Sequence, residues 1–413
     1  MNAIHSPAPA RAPIAGQAAI IGAGMAVHPT SSGYNPTPLE LDVKAARAAI
    51  AEAGIDRSSI GALLTAPPPT VQKVSQFCDL VINELKIAPR HVAQVGSSCA
   101  GALGSIQIAA SLVAGGTVDY VLCCAGDTNY GNQKFFTTSA VIGDPMCETP
   151  YGITAPATYA QMASRYMHEY GVTSEQFARV AVANRQWALD HPLARMRDKG
   201  PLTVDDVLAS PVIASPLHLF DAAPWFNGGI AGAVVIARAD RARHAPTDPL
   251  YLLGFGQRTT HTYLTERLGL RGIGPYFEQP SLVVTGTGAA AADAYGMSGL
   301  TPNDVDVVES SGPFTSFLMR ALEELGFCKD GEGGDFVAAG GIDRNAGLPF
   351  NTYGGMLSFG QLAQPMYPLI EAILQLRGRA ERRQVTDPKI ALVHGHGGPI
   401  SSQAVLLLGR QPV

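Results

Sequence analysis

Cys99 is the residue of this 413-residue sequence best placed to do chemistry. It follows the polar cluster Gly96-Ser97-Ser98 and opens a run of Ala, Gly, Leu and Ile that carries no charge until Asp119. Such a run predicts a helix apolar on every side. Its wealth of Ala and Gly suits a place where other backbones press close, in the middle of a large domain. A cysteine at the mouth of that helix meets unpaired backbone N–H groups and the positive end of the helix dipole. Both favour thiolate over thiol and so make a nucleophile. The plainer reading of Cys99 is one more small buried side chain. Near the other end of the chain, His394-Gly-His396-Gly-Gly398 holds two imidazoles, the side chain that changes charge near neutral pH without assistance.

The surrounding elements must position these groups. Val118 to Cys124 is β-branched and apolar and predicts a central strand, with Cys123 and Cys124 on opposite faces. Gln17 to His28 predicts a buried opening strand. Its Gly22-Ala-Gly24 echoes a dinucleotide loop, but the third glycine and the acidic residue that ends a second strand are missing, which argues against NAD or FAD. Leu39 to Gly54 predicts an amphipathic helix ended by glycine, followed by a turn and a short strand over Ile55 to Thr65.

The same order returns later. Ala289 to Gly299 is an Ala-rich segment ended by glycine, and Leu300 to Glu309 is again turn then strand. AEAGIDRSSIGALL and GMSGLTPNDVDVVE match in kind at nearly every place, so the chain reads as duplicated. The counterpart of the Cys99 helix is then Asn351 to Leu376, which begins with glycines and is expected to run into a long apolar helix. Lys389 to Val393 then answers to the strand Val118 to Cys124, leading into a loop that holds His394 and His396.

Two β-α-β halves, each with a buried helix, predict a five-layered α/β fold with two sheets sandwiching those helices. The expected organisation is a flexible tail over 1–16, an N-terminal half over 17–127 and 217–245, an inserted loop or cap domain over 128–216, and a C-terminal half over 246–413. The inserted block includes a helical stretch, Ala157 to Asp190, and insertions of this kind cap a site or make a subunit contact.

Composition excludes several classes of function. Charged residues are only 15% of the chain, low for a soluble monomer, so another subunit is expected to cover part of the surface. A net charge of −5 and no basic run argue against nucleic acid. No stretch has the length and apolarity of a membrane span, and the Ala- and Pro-rich start lacks the pattern of a secretion signal. Six scattered cysteines without paired metal-type spacing fit a reducing cytoplasm and no structural zinc.

Together, a Cys opening a buried helix, a repeated half, Asn351-x-x-Gly354-Gly355 before the second buried helix and a Gly-rich loop after the last strand resemble the thiolase superfamily. The resemblance covers the whole chain apart from the tail. Tyr151-Gly-Ile-Thr-Ala-Pro156 running into Arg165-Tyr-Met-His-Glu-Tyr-Gly171 is similar to the sterol carrier protein-type, or lipid-transfer, branch, as is Gly326-Phe-Cys328 followed by Gly331-Glu-Gly-Gly334. The resemblance implies a homodimer that takes a coenzyme A thioester as substrate and holds no tightly bound cofactor. Cys99 lands on the family's nucleophile, Phe314 on its loop phenylalanine, and Asn351, Gly354, Gly355 and Gly360 on its glycine segment. Ser311, Gln361, Asn351, Gly354, Gly355 and Gly398 are then expected around the substrate and its oxyanion.

Three positions depart from that pattern. Gln361 stands where the family has its activating His, Ser311 where the loop carries Asn or His, and His394 and His396 where degradative thiolases place a second Cys. Thiolytic cleavage or Claisen condensation needs one base to make the thiolate and a second acid/base at the α-carbon. Glutamine can donate a hydrogen bond but cannot accept and return a proton. His394 or His396 is a candidate for the missing group; placed around a glycine in a loop, the two are expected to point in different directions. Tyr353 is a further candidate acid. His168, His191 and His218 read as surface or satisfied core residues, and Trp225 and Phe226 as aromatic core or acyl-pocket lining.

The leading expectation is therefore an acyl-CoA-handling enzyme that makes or breaks a carbon–carbon bond through a Cys99 thioester. An alternative is a retro-aldol lyase on a β-hydroxyacyl-CoA, with an OB-fold/zinc-ribbon partner and a base such as Tyr353 or a loop His. A third is a non-catalytic acyl-CoA or lipid carrier.

Overall fold

The structure, a computed structural model, describes residues 14–29, 33–66, 68, 75–96, 98–129, 143–267, 281–345, 347–362 and 366–413; of Ser98, Cys99 and Arg267 it describes the main chain. The strands are β1 (Ala18–Pro29), β2 (Ile60–Ala66), β3 (His91–Gln94), β4 (Tyr120–Asn129), β5 (Val212–Ala214), β6 (Leu217–His218), β7 (Gly228–Arg238), β8 (Leu250–Thr259), β9 (Val307–Ser310), β10 (Ile390–Gly397) and β11 (Ser402–Gly409). The helices are α1 (Pro38–Ala53), α2 (Phe77–Leu85), α3 (Ser98–Ala114), α4 (Ala155–Tyr170), α5 (Ser174–Ala188), α6 (Val204–Ala209), α7 (Ala239–Ala242), α8 (Leu264–Arg267), α9 (Thr287–Ser298), α10 (Thr315–Glu324), α11 (Gly333–Ala338) and α12 (Tyr367–Leu376).

Among the described residues nine strands form one sheet, in the order β3-β2-β4-β7-β1-β8-β11-β10-β9. Outward from its centre the two sides repeat each other. β1 pairs antiparallel with β7, β7 antiparallel with β4, and β4 parallel with β2. On the other side β8 pairs antiparallel with β11, β11 antiparallel with β10, and β10 parallel with β9. Even β3, parallel to β2, has its echo in a parallel bridge from Val308 to Phe350. The two expected sheets share hydrogen bonds at the centre, where Ala19 pairs with Tyr251 and Ile20 with Leu250.

Strand alternation sorts the core into layers. Val121, Cys123, Val234, Leu252, Val393 and Leu406 face an inner cluster with Ala100, Ile106 and Val113 of α3 and Leu369 and Ile373 of α12. Their neighbours Leu122, Cys124, Val235, Leu253, Leu392 and Leu407 face outward, against α1, α9 and α10. Cys123 and Cys124 thus lie on opposite faces, as expected. Each large apolar side chain buried in these layers contributes roughly 2 kcal/mol.

Close approach, not dinucleotide binding, explains Gly22 and Gly24. A Cβ on Gly22 would lie 2.2 Å from the carbonyl oxygen of Ala49, and one on Gly24 2.2 Å from that of Ala45, both in α1. The second half repeats the device: a Cβ on Gly254 or Gly256 would lie 2.1 Å from the carbonyl oxygens of Ala294 and Ala290 in α9. Helix ends repeat as well, since Gly54 after α1 and Gly299 after α9 are both left-handed.

The helical stretch of the inserted block is helical with one break, and the second long apolar helix is corrected. Ala157 to Asp190 is two helices, because α4 ends at left-handed Gly171 and α5 restarts at the Thr173–Gln176 capping box. Asn351 to Leu376 does not run into one long helix. Gly354, Gly355 and Gly360 adopt φ of 95°, 58° and 120°, which isolate a single π-helical turn over Gly355–Phe359, and α12 begins only at Tyr367. Replacing Gly22 or Gly254 by Ala should each destabilise the protein by about 1–3 kcal/mol through helix displacement. Thermal unfolding of the two variants, with similar drops in both, checks the equivalence of the two contacts.

Candidate active site

α3 begins where the sequence places its start, with Cys99 as its second residue; the Cys99 side chain lies outside the described residues. A Cβ on Gly101 would lie 1.6 Å from the carbonyl oxygen of Gly96, so the segment before Cys99 folds tightly against the first turn.

The two histidines are not in a loop. β10 continues to Gly397, with His394 opposite Val405 and His396 opposite Gln403 of β11. Residues i and i+2 of a strand share a face, so His394 and His396 point the same way, and the expected divergence is corrected. Both rings pack on Phe317, with centroids 5.8 Å and 4.2 Å away, and both reach Gln403. Each is buried. Desolvation lowers the pKa of His394 to about 4 against a small opposing effect of Gln403. For His396 desolvation, then the neighbouring His394, bring it to about 3.

His394 Nδ1 lies 2.9 Å from Ser310 Oγ, and its Nε2 lies 3.1 Å from Gln403 Oε1 and 3.4 Å from Thr287 Oγ1. His396 Nδ1 lies 3.4 Å from Gln403 Nε2, while its Nε2 is hydrogen-bonded to the hydroxyl of Tyr159 in α4. Tyr159 stacks on Phe314, with ring centroids 4.3 Å apart. Ser311 continues the lacing of β9 to β10: its N–H donates to the His394 carbonyl at 2.9 Å, and its Oγ accepts from the His396 N–H at 2.8 Å.

The glycine segment is held from two sides. Asn351, with φ of 56°, accepts from Ser310 N–H at 2.7 Å and donates to Asn184 Oδ1 of α5 at 3.1 Å. A Cβ on Gly355 would lie 1.8 Å from that Asn184 oxygen, and one on Gly354 2.6 Å from the Ala188 Cβ. The Tyr353 hydroxyl donates to the Ser310 carbonyl at 2.8 Å. The structure therefore brings Asn351, Tyr353, Ser311, His394 and His396 together around Ser310. Gly398, with φ of 63°, turns β10 toward β11. Gln361 is laced elsewhere: its N–H donates to Pro224 O at 2.7 Å and its carbonyl accepts from Phe226 N–H at 3.0 Å. Phe226 stacks on Phe359 in an aromatic core cluster with Tyr353 and Tyr367. His191 is buried, with its pKa lowered by burial to about 3, and His218 lies 3.5 Å from Asp221. His168 lines an open groove of about 580 Å³ along α4 with Gln161, Ser164 and Arg165.

Beneath the turn lies a buried polar knot. Thr352 Oγ1 lies 2.5 Å from Glu309 Oε1 and 3.0 Å from Glu371 Oε1, and accepts from Gln375 Nε2 at 2.9 Å. One hydroxyl hydrogen cannot serve two carboxylates. Glu371 is paired with Arg383 at 3.0 Å, so Glu309 carries the proton; burial, then the charge of Glu371, raises its pKa well above the ordinary carboxyl value.

Sequence reasoning missed Tyr159, Gln403 and Glu309. Gln403 did leave a signal, a long polar side chain heading the apolar run Ala404–Leu408.

A family model described as thiolase C-terminal domain-like matches residues 275–410. A steroid side-chain-cleaving aldolase of Thermomonospora curvata is 32% identical over 95% of this chain and 98% of its own. The chain belongs to the thiolase superfamily, in its sterol carrier protein-type branch. An acetyl-CoA acetyltransferase of Methanothermobacter thermautotrophicus is 30% identical over 90% of this chain and 94% of its own. The solved Ltp2-ChsH2(DUF35) aldolase superimposes with a TM-score of 0.79 at 30% identity, covering 96% of this chain and 98% of that one. This superfamily member is thus a thiolase-type enzyme whose relatives include both acyltransferases and lyases.

The histidines set a pH dependence. An unfolded imidazole titrates near 6.5, whereas His191, His394 and His396 stay neutral when folded until about pH 3 to 4. Their stabilising effect is complete above pH 6.5 and is lost as pH falls below it, on the order of 3 kcal/mol for each by pH 4. Thermal unfolding between pH 7.5 and 4 should show the loss, and a flatter slope for His394→Asn. Glu309→Gln should stay within about 1 kcal/mol of the native protein, whereas Glu371→Gln, which strands Arg383, should cost about 3 kcal/mol or more in denaturant unfolding.

Proposed function

We propose that this protein is a carbon–carbon lyase that splits a β-hydroxyacyl-CoA by retro-aldol chemistry, acting in the cytoplasm as a dimer together with an OB-fold/zinc-ribbon subunit. The observation that carries this reading is Gln361. By the resemblance it stands where the family has its activating histidine, and an amide cannot take a proton, while the imidazoles of His394 and His396 are neutral and committed to Ser310, Gln403 and Tyr159. A retro-aldol step needs no thiolate. It needs one base at the β-hydroxyl and donors for the enolate oxygen, and the N-terminal amides of α3 are suited to the second task.

The two aldolases among the relatives support the reaction class, and the DUF35 component of one supports a partner subunit. The low charged fraction and the solvent-exposed edge strand β3 support a second copy. Retention of Cys99 at the start of α3, with an acetyltransferase among the relatives, favours the second reading, a thioester route.

The probe that separates them is a steroid CoA thioester bearing a tertiary β-hydroxyl, given to the native protein and to Cys99→Ala, each with and without the DUF35 subunit of the solved Ltp2-ChsH2 aldolase. Cys99→Ala should release the ketone within about tenfold of the native rate. An acyl adduct on residue 99 of the native protein, together with no ketone from the variant, would establish the thioester route instead.

A further inference from the structure

We infer that Tyr159 is the proton-transfer group of the carbon–carbon cleavage, its oxygen held by an N–H that a one-directional chain of buried hydrogen bonds presents from His396. The inference rests on the lyase reading above and adds to it a residue from the inserted helix α4, 237 positions from the histidine it meets.

The direction of the chain follows from groups that can play only one part. The carbonyl oxygen of Ile400 can only accept, and Gln403 Nε2 lies 3.4 Å from it, which places the amide nitrogen, not the oxygen, on that side. The same nitrogen faces His396 Nδ1 at 3.4 Å and donates to it, so Nδ1 carries no hydrogen. A ring bare at Nδ1 has its hydrogen on Nε2, and Nε2 faces Tyr159 Oη. The tyrosine oxygen therefore accepts.

The far end gives the same polarity independently. Glu324 accepts from the N–H of Thr285 at 2.8 Å, from its hydroxyl at 2.6 Å and from the N–H of Gly288 at 3.2 Å. With its hydrogen given to Glu324, Thr285 Oγ1 accepts from the Thr287 hydroxyl at 2.7 Å. Thr287 then has no hydrogen left for His394. His394 Nε2 faces this oxygen and Gln403 Oε1, two acceptors, and so carries the hydrogen itself; its bare Nδ1 accepts from Ser310 Oγ. Every link from Ser310 through His394, Gln403 and His396 to Tyr159 runs one way, and an imidazolium at either ring would reverse a link.

A hydrogen bond given to a phenol oxygen favours the phenolate, because it is stronger to the charged form. The ring cannot swing away, being stacked on Phe314 and set edge-on to Phe317. Among the described residues, titratable groups near the pair include His394 on the same strand, His261 after β8 with its Nε2 2.9 Å from the Pro399 carbonyl oxygen, and Glu324 beyond the two threonines. In the reaction the substrate's β-hydroxyl gives its proton to the Tyr159 oxygen. The carbon–oxygen bond becomes a carbonyl as the Cα–Cβ bond breaks, and that bond's electron pair stays on Cα as the thioester enolate. Tyr159 then returns the proton to Cα, which releases the shortened acyl-CoA and restores the phenolate without a further reactant.

The test uses the steroid β-hydroxyacyl-CoA probe with the full chain and its partner subunit. Tyr159→Phe, which keeps the ring on Phe314, should lower kcat by about 100-fold or more with little change in KM. His396→Gln keeps an N–H near the position of Nε2 and should retain most activity, whereas His396→Leu, by raising the phenol that must be ionised to act, should move the acidic limb of the kcat/KM profile upward by about one pH unit or more. Spectrophotometric titration near 295 nm should show one tyrosine of the native protein ionising below the ordinary phenol range, and its loss in Tyr159→Phe. Cleavage by Tyr159→Phe within about threefold of native, or superimposable phenol titrations, overturns the inference and leaves the lyase reading standing. A native protein that releases no ketone overturns both.

Discussion

A helix without charge and almost without bulk sets the architecture of this molecule. α3 carries Ala, Gly and Ser over most of its length, so strands from both sides of the sheet can press on it at once, and Ala100, Ile106 and Val113 join Val121 on one side with Val393 and Leu406 on the other. Helices on the outer faces use the complementary device. Paired glycines on β1 and β8 let the backbones of α1 and α9 lie directly on the strands. Interior space is so limited that small residues, not large ones, decide which element goes where.

The same dryness governs the polar groups left inside. A buried donor or acceptor that finds no partner costs more than a typical hydrogen bond contributes, so the side chains around β9 and β10 are joined in series. Ser310 is the junction: its N–H, carbonyl and hydroxyl each hold a different residue, Asn351, Tyr353 and His394. Hydrogen counting then settles states that position alone does not, a protonated Glu309 below the turn and two neutral imidazoles above it. The two halves of the chain share a scaffold, while this polar series is built on strands of the second half and completed by α4 from between them.

Much of the scaffold was legible in the residues. Gly54 and Gly299 end corresponding helices because the left-handed conformation suits glycine, and the turn-then-strand segments after them match in kind. The glycine segment at Asn351 was legible as a special turn, but not as a break. Three positive-φ glycines stop the helix that the apolar pattern predicts. His394-Gly-His396-Gly reads locally as a loop, yet it is strand, because β9 on one side and β11 on the other satisfy its backbone groups. That pairing is tertiary, and with it went the direction of both imidazoles.

By itself the sequence determined the layers: periodicity, small-residue runs and helix-ending glycines are local properties, and they specify which faces are apolar and where elements stop. Only the tertiary structure decided the chemistry of the polar groups. Tyr159, His396 and Gln403 come from three elements, and which atom donates to which depends on distances that packing alone sets and that burial then makes costly to alter.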